Sequence, residues 1–198
     1  TGDLIFSLPT IKAMGGGKLI VHSYHKQRFE AVKSLIELQD YIDSVEWSDE
    51  KINGFIDLDK FREYAGHHNN LVEAHFKGQG IVNDGSWKDG WLTLPERKKV
   101  FPSKRIAVIN RTTNYADPNF DWSKEVEYLK SISDDVFFLG YYDEWQQFQN
   151  TFNVEVNFTN VDFLDAAYLM QEAVAISCGY SCMATIAQGL GLSYRLEQ

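Results

Sequence analysis

Apolar positions along this chain fall into short runs whose spacing switches between helical and strand-like. Residues 4, 5, 8, 11 and 14 give Asp3–Met14 a helical period; Pro9 falls inside it, so the helix either starts near Pro9 or kinks there. Gly15-Gly16-Gly17 ends it, and Lys18–His22 (KLIVH) reads as a short buried strand. Gln27–Leu38 predicts a helix with Phe29, Val32, Leu35, Ile36 and Leu38 on one side. Ile42–Trp47 and Phe55–Leu58 predict two further strands around a charged turn, and Asn69–Lys77 predicts a helix ending at Gly78. Gly85–Pro95 carries two tryptophans, Trp87 and Trp91, expected in an interdomain core, and a short strand at Trp91–Leu94.

The second half alternates regularly. Strand Ile106–Ile109 leads to helix Ser123–Ser131, with Ser123 as the expected N-cap. Strand Val136–Leu139, a helix from about Asp143 to Phe152 and strand Val154–Val156 follow. Helix Asp162–Glu172, strand Val174–Ser177, helix Ser181–Gly189 and strand Tyr194–Leu196 complete the order. Strands alternating with ten-residue helical patterns imply parallel crossovers. The expected class is therefore α/β: a first domain over residues 1–96, a charged, proline-flanked linker over 97–104, and a second domain over 105–198. Thr1-Gly2-Asp3 reads as the end of a glycine loop, so a strand is expected to precede it.

Composition changes little in this picture. A length of 198 residues accommodates one large or two small domains. The formal net charge of −9 argues against a general nucleic-acid binder, whose footprint is a basic face. No apolar run approaches a membrane span. Cys178 and Cys182, four apart, form neither a disulfide framework nor a zinc pattern, which favours a reducing cytoplasm. They read as small buried fillers. His67, His68 and His75 lack a ligand spacing and read as a polar helix entrance; no metal is assigned.

The stretch richest in chemistry is Arg105–Trp122 (RIAVINRTTNYADPNFDW). Its apolar run breaks at Asn110 into a hydroxyl-rich loop before a helix, which is where a parallel α/β sheet places ligand loops. Arg111, Thr112 and Thr113 offer a guanidinium fork and two hydroxyls, donors suited to a phosphate. Gly179, Tyr180 and Ser181 occupy a second strand-to-helix turn whose amides suit an anion, though a tight turn and a Ser N-cap explain the same residues. The run Tyr141-Tyr142…Trp145 reads as packing or a pocket rim.

Two such halves with ligand loops at their strand ends resemble the GT-B architecture of nucleotide-sugar glycosyltransferases. Within it the chain resembles the ADP-heptose:lipopolysaccharide heptosyltransferase family, glycosyltransferase family 9. Four segments carry the likeness: Gly2–Ile11, similar to the family's Gly-Asp…Pro opening; Thr112-Thr113 followed by Trp122; Gly140 with Glu144; and Leu164–Leu192, ending in Ala187-Gln188-Gly189-Leu190-Gly191. The family's Asp-Thr-Gly-Leu-Ser-His loop stands here as Ser177-Cys178-Gly179-Tyr180-Ser181-Cys182, without its acidic residue and histidine. The lysine expected near Trp122 is replaced by Asp121 next to it.

The resemblance implies two small Rossmann-like domains facing across a cleft, the first on the acceptor side, the second holding the donor. It implies inverting, metal-independent transfer from a nucleotide-diphosphate sugar, ADP-heptose-like, to a saccharide acceptor, with no cofactor. Asp3 would be the general base, Arg111, Thr112 and Thr113 the diphosphate site, and Glu144 a ribose contact. Asp3 and Glu144 also fit plain roles in the first turn of a helix. No nucleic-acid partner or transmembrane segment is implied, while a lipid-linked acceptor would permit peripheral membrane contact. The altered Ser177–Cys182 loop motivates an alternative, a non-catalytic nucleotide- or sugar-binding module. A Rossmann-type oxidoreductase is disfavoured, because no GxGxxG follows a strand.

Overall fold

The computed structural model describes residues 2–197 apart from 23–24, 68–69, 98 and 113–115, with only the backbone of His67. The chain divides into two compact units, Thr1–Thr93 and Leu94–Gln198.

In the amino-terminal unit, α1 (Gly2–Ala13) runs through Pro9 as one helix and buries Ile5, Leu8 and Ile11. β1 (Gly17–His22) and β2 (Ile42–Ser48) form a two-stranded parallel sheet, with Leu19 opposite Val45 and Val21 opposite Trp47. α2 (Lys26–Glu37) crosses between them and buries Phe29, Val32, Leu35 and Ile36. α3 (Leu71–Gly78) starts at Asn70, whose side chain accepts from the Val72 amide at 2.8 Å.

Two strands expected here are absent. Phe55–Leu58 is no strand: Gly54 turns at φ +90°, and Asp57 accepts from the Asp59 amide at 3.0 Å to cap a 3₁₀ helix at Leu58–Glu63. Trp91–Leu94 belongs to no sheet. Side chains hold its backbone instead: the Tyr41 hydroxyl donates to Trp91 O at 2.7 Å, and Gln39 Oε1 accepts from the Thr93 amide at 2.8 Å. Trp87 and Trp91 are buried within this unit, with ring centroids 6.5 Å apart.

The carboxy-terminal unit carries β3 (Ile106–Asn110), α4 (Trp122–Ile132), β4 (Asp135–Leu139), α5 (Tyr142–Phe152), β5 (Asn157–Thr159), α6 (Phe163–Glu172), β6 (Ala175–Cys178), α7 (Cys182–Gly189) and β7 (Arg195–Leu196). Its five strands are all parallel, in the order β5-β4-β3-β6-β7. Starting from the central β3, the chain adds strands outward on one side, then returns to add β6 and β7 on the other. That is a doubly wound α/β sheet, and its strand order reverses between β3 and β6. β3 is buried at all five positions, as a central strand covered on both faces requires.

One core packs around Trp122, which is fully buried and meets Phe148 edge-on at 5.2 Å. The N-cap of α4 is Asp121, accepting from the Lys124 amide at 3.1 Å, and not Ser123, whose hydroxyl donates to Phe152 O at 2.8 Å. The strand expected at Val154–Val156 lies three residues later. The Val156 backbone is taken by side chains, its N–H donating to Gln149 Oε1 and its carbonyl accepting from Trp145 Nε1. Residues 94–104 are fastened to this unit: Arg97 reaches Asp165 at 2.6 Å, and the Val100 amide donates to Glu172 at 2.9 Å.

Candidate functional site

Parallel sheets present their ligand loops at the carboxyl ends of the strands, beside the reversal point. Here that point lies between Asn110, ending β3, and Cys178, ending β6. Asn110 is buried, and its Nδ2 donates to Leu139 O at 2.5 Å, tying the end of β3 to the end of β4. Arg111 and Thr112 follow it, Gly140 follows β4, and Gly179 follows β6. The loops that carried the sequence expectations therefore sit at three adjacent strand ends of one sheet. Thr113 lies outside the described residues.

Gly179 brings two of these loops together. Its amide donates to Asn110 O at 2.8 Å, extending the ladder one step past the strands. A Cβ added there would stand 3.6 Å from Arg111 Cα and from Thr112 N, and only 2.9 Å from Glu197 Oε2. The loop atoms at 3.6 Å would be in ordinary contact with that Cβ, so it is the Glu197 carboxylate that leaves no room for a side chain. The Gly179 amide is thus already engaged. Ser181 caps α7, its hydroxyl accepting from Met183 N at 3.2 Å and Ala184 N at 3.5 Å. Tyr180 is half-exposed at the same edge.

Arg111 points inward. Its Nε donates to Glu197 Oε1 at 3.1 Å, and its guanidinium lies 4.9 Å from the centre of the Phe152 ring. Glu197 is fully buried, so Arg111 compensates a buried charge. A second buried carboxylate lies further down the sheet: Glu125 of α4 accepts from Ser177 Oγ and from Arg195 Nη1, both at 2.6 Å. Glu144 begins α5 beside Gly140, and its Oε2 accepts from the Tyr141 amide at 3.1 Å. Tyr142, Trp145 and Phe158 form an aromatic cluster next to it, with centroids 5.2 to 5.4 Å apart. Burial raises the thiol pKa of both Cys178 and Cys182, which makes them poor nucleophiles.

Asp3 lies in the amino-terminal unit, in the first turn of α1, with its carboxylate half-exposed and 3.5 Å from Arg62 Nη2. Arg62 also reaches Asp59 at 3.4 Å. His75 is not a polar helix entrance. It is buried and stacked on Phe61 at 4.0 Å, and desolvation depresses its pKa to about 4 against the opposing pull of Asp3 and Asp59. His68 lies outside the described residues. Among the described residues no group of His, Cys, Asp and Glu is arranged to hold a metal ion, and no helix is long and apolar enough to cross a membrane.

Sequence reasoning missed Glu197, Glu125 and Arg62. Their partners lie far away in the chain: Arg111 and Glu197 are 86 positions apart, and Ser177 and Glu125 are 52 apart. No local pattern flags such pairs.

No family model matches the chain, and no curated protein matches its sequence significantly. A solved structure does resemble its fold: the crystal structure of the glycosyl transferase family 9 from Veillonella parvula DSM 2008. The likeness has a TM-score of 0.63 at 10% sequence identity and covers 98% of this chain and 76% of that one. The chain accordingly has a glycosyltransferase-like α/β fold built on parallel sheets.

Proposed function

We propose that this protein is an inverting glycosyltransferase that moves a sugar from a nucleotide-diphosphate donor, ADP-heptose-like, to a saccharide-type acceptor without a metal. The observation that carries this reading is the convergence of the Arg111-Thr112 and Gly179 loops at the reversal point of a doubly wound sheet. The likeness in fold to a family 9 glycosyl transferase supports it.

In this reading Arg111, Thr112 and Thr113, with the Gly179-Tyr180-Ser181 turn, hold the diphosphate. Arg111 spends Nε on Glu197 and keeps the two amino groups of its fork for phosphate oxygens. Glu144 spends one oxygen on the Tyr141 amide and keeps the other for a ribose hydroxyl. Asp3 takes the proton from the acceptor hydroxyl as its oxygen attacks the anomeric carbon. The bond from that carbon to the β-phosphate oxygen breaks, and the nucleoside diphosphate leaves with the bonding pair, its charge met by the loop donors. A lipid-linked acceptor would bring the protein to a membrane surface, and two unpaired cysteines fit a reducing cytoplasm.

A second reading, a non-catalytic nucleotide- or sugar-binding module, is favoured by one observation: Ser181 and Gly179 already have structural partners. Calorimetry with ADP, UDP and GDP, followed by donor turnover in the wild type and Asp3→Asn, separates the two. Catalysis predicts binding of one nucleotide in both proteins and turnover only in the wild type. Binding with no turnover in either leaves the binding module, and no binding at all overturns both.

A further inference from the structure

Tyrosines gather at the carboxyl edge of the sheet in the carboxy-terminal unit. Of the four exposed tyrosines among the described residues of this unit, Tyr141 and Tyr142 follow β4, Tyr180 follows β6, and Tyr128 lies on α4 instead. Tyr142 is distinguished by how it is held. It opens α5, and its ring meets the Trp145 ring at 5.2 Å and the Phe158 ring edge-on at 5.4 Å. Trp145 is itself anchored, its Nε1 donating to Val156 O at 2.9 Å, and the Tyr142 hydroxyl accepts from Gln146 Nε2 at 3.2 Å. A side chain fastened at both ring and hydroxyl has given up most of its rotamer freedom. Yet Tyr142 remains 55% exposed. Packing usually orders a ring by covering it. Here the order comes without the cover, which leaves a rigid apolar face open to solvent.

The strand order selects what covers that face. β6, β3, β4 and β5 lie side by side. Arg111 and Thr112 follow β3, with Gly179 beside them after β6. Glu144 lies in the first turn of α5, after β4, and Phe158, against which Tyr142 leans, belongs to β5. Phosphate donors, a carboxylate suited to ribose and an aromatic face therefore succeed one another along a single edge. From β3 to β5 is two strand spacings, about 10 Å, a span that a nucleoside diphosphate covers from its phosphates to its base. An aromatic face also suits the apolar face of a sugar ring. The sugar to be transferred, however, hangs from the far phosphate, on the side away from the ribose.

We propose that Tyr142 is the platform on which the nucleobase of the donor stacks. The assignment rests on the nucleotide-diphosphate reading of this edge and adds to it the residue that meets the base. Stacking tolerates any base, because each has a π-face. Tyr142 thus contributes affinity to the nucleoside part of the ligand and none to its phosphates. Its hydroxyl is already engaged by Gln146 and takes no part, so a phenylalanine ring serves equally well.

Calorimetry of the 1–198 chain with ADP and with pyrophosphate separates the two parts of the ligand. Tyr142→Ala should weaken ADP binding about tenfold and leave pyrophosphate binding as it is in the wild type. Tyr142→Phe should bind ADP like the wild type. Tyr128→Ala, which removes a comparably exposed tyrosine from α4, should change neither ligand. In the wild-type complex the Tyr142 ring protons should show NOEs to adenine H2 and H8, a contact that no folding defect of a variant can mimic. Absence of those NOEs, or undiminished ADP affinity in Tyr142→Ala, overturns the proposal and leaves the diphosphate reading standing. An equal loss for ADP and pyrophosphate also overturns it, since the ring would then shape the loop rather than meet the base. No ADP binding by the wild type strikes the nucleotide-diphosphate reading itself, and the platform with it.

Discussion

Arg111 and Glu197 pair across the end of β6, with Nε 3.1 Å from Oε1. Arg111 follows β3 and Glu197 follows β7, and the strand between them, β6, ends at Cys178, just before Gly179. The pair closes over that glycine, so the residue is small because a buried ion pair occupies the space where its Cβ would stand. Gly179→Ala should displace Glu197 Oε2, which a Cβ would approach to 2.9 Å. The carboxylate is fully buried and anchored through Oε1 by Arg111 Nε, so Oε2 has little room to give way. A loss of about 1–3 kcal/mol is expected, read as a lower urea midpoint for the carboxy-terminal unit.

Removing one partner of the pair should hurt more. Arg111→Ala leaves the fully buried Glu197 carboxylate uncompensated, and breaking a buried pair this way costs about 3–5 kcal/mol. Arg111→Ala/Glu197→Ala should recover part of that loss. A double-mutant cycle measures the coupling, and strict additivity of the two single effects would show that the pair contributes nothing.

Ser177, near the end of β6, donates from Oγ at 2.6 Å to the buried Glu125 carboxylate. The negative charge beside β6 therefore comes from α4. Ser177→Ala should cost about 1–3 kcal/mol by stripping a buried acceptor of its donor. Ser177→Asp should be worse at neutral pH, because it sets two carboxylates in contact, and should recover partly as the pH falls and one is protonated. Thermal melts of both variants between pH 5 and 8 check the sign.

These pairs mark where the sequence stops being informative. β3 was legible because four consecutive apolar residues bounded by polar loops suit only a strand buried on both faces. Ser181 and Asp162 were legible near helix starts because capping is local, and both side chains do cap α7 and α6. Phe55–Leu58 has strand-like residues, but Asp57 draws the backbone into its own turn. Val154–Val156 loses its ladder to Gln149 and Trp145, while the strand that forms, Asn157–Thr159, is a polar edge. The loops of the candidate site could be placed from local pattern, since strand ends fix them. What holds those loops, Glu197 above all, depends on residues that meet only in the folded sheet.

His75 gives the amino-terminal unit a pH dependence of stability. Its ring stacks on Phe61, neither ring nitrogen has a hydrogen-bond partner among the described residues, and its pKa is depressed to about 4. Asp3 and Asp59 pull that value up and Arg62 pushes it down, but desolvation dominates. The sign follows from linkage: below about pH 6.5 the unfolded chain takes up a proton that the folded chain refuses. Stability is thus complete above that pH and falls by about 3 kcal/mol on going to pH 4. His75→Phe should preserve the stack and flatten this component, as read from urea midpoints across the range.

Glu144 offers the sharpest separation of a structural from a binding role. One oxygen accepts from the Tyr141 amide, which caps α5, and the other has no hydrogen-bond partner among the described residues. Glu144→Gln keeps an acceptor for the cap but replaces the charged acceptor proposed for a ribose hydroxyl with a neutral one. Charge-assisted hydrogen bonds are roughly twice as strong as neutral ones. Nucleoside diphosphate affinity should therefore drop about fivefold, or ~1 kcal/mol, while the melting temperature holds nearly constant. Glu144→Ala loses the cap as well, and should cost about 1 kcal/mol of stability in addition to the affinity. Wild-type affinity in both variants would reduce Glu144 to a helix cap and move ribose recognition elsewhere on the carboxyl edge of the sheet.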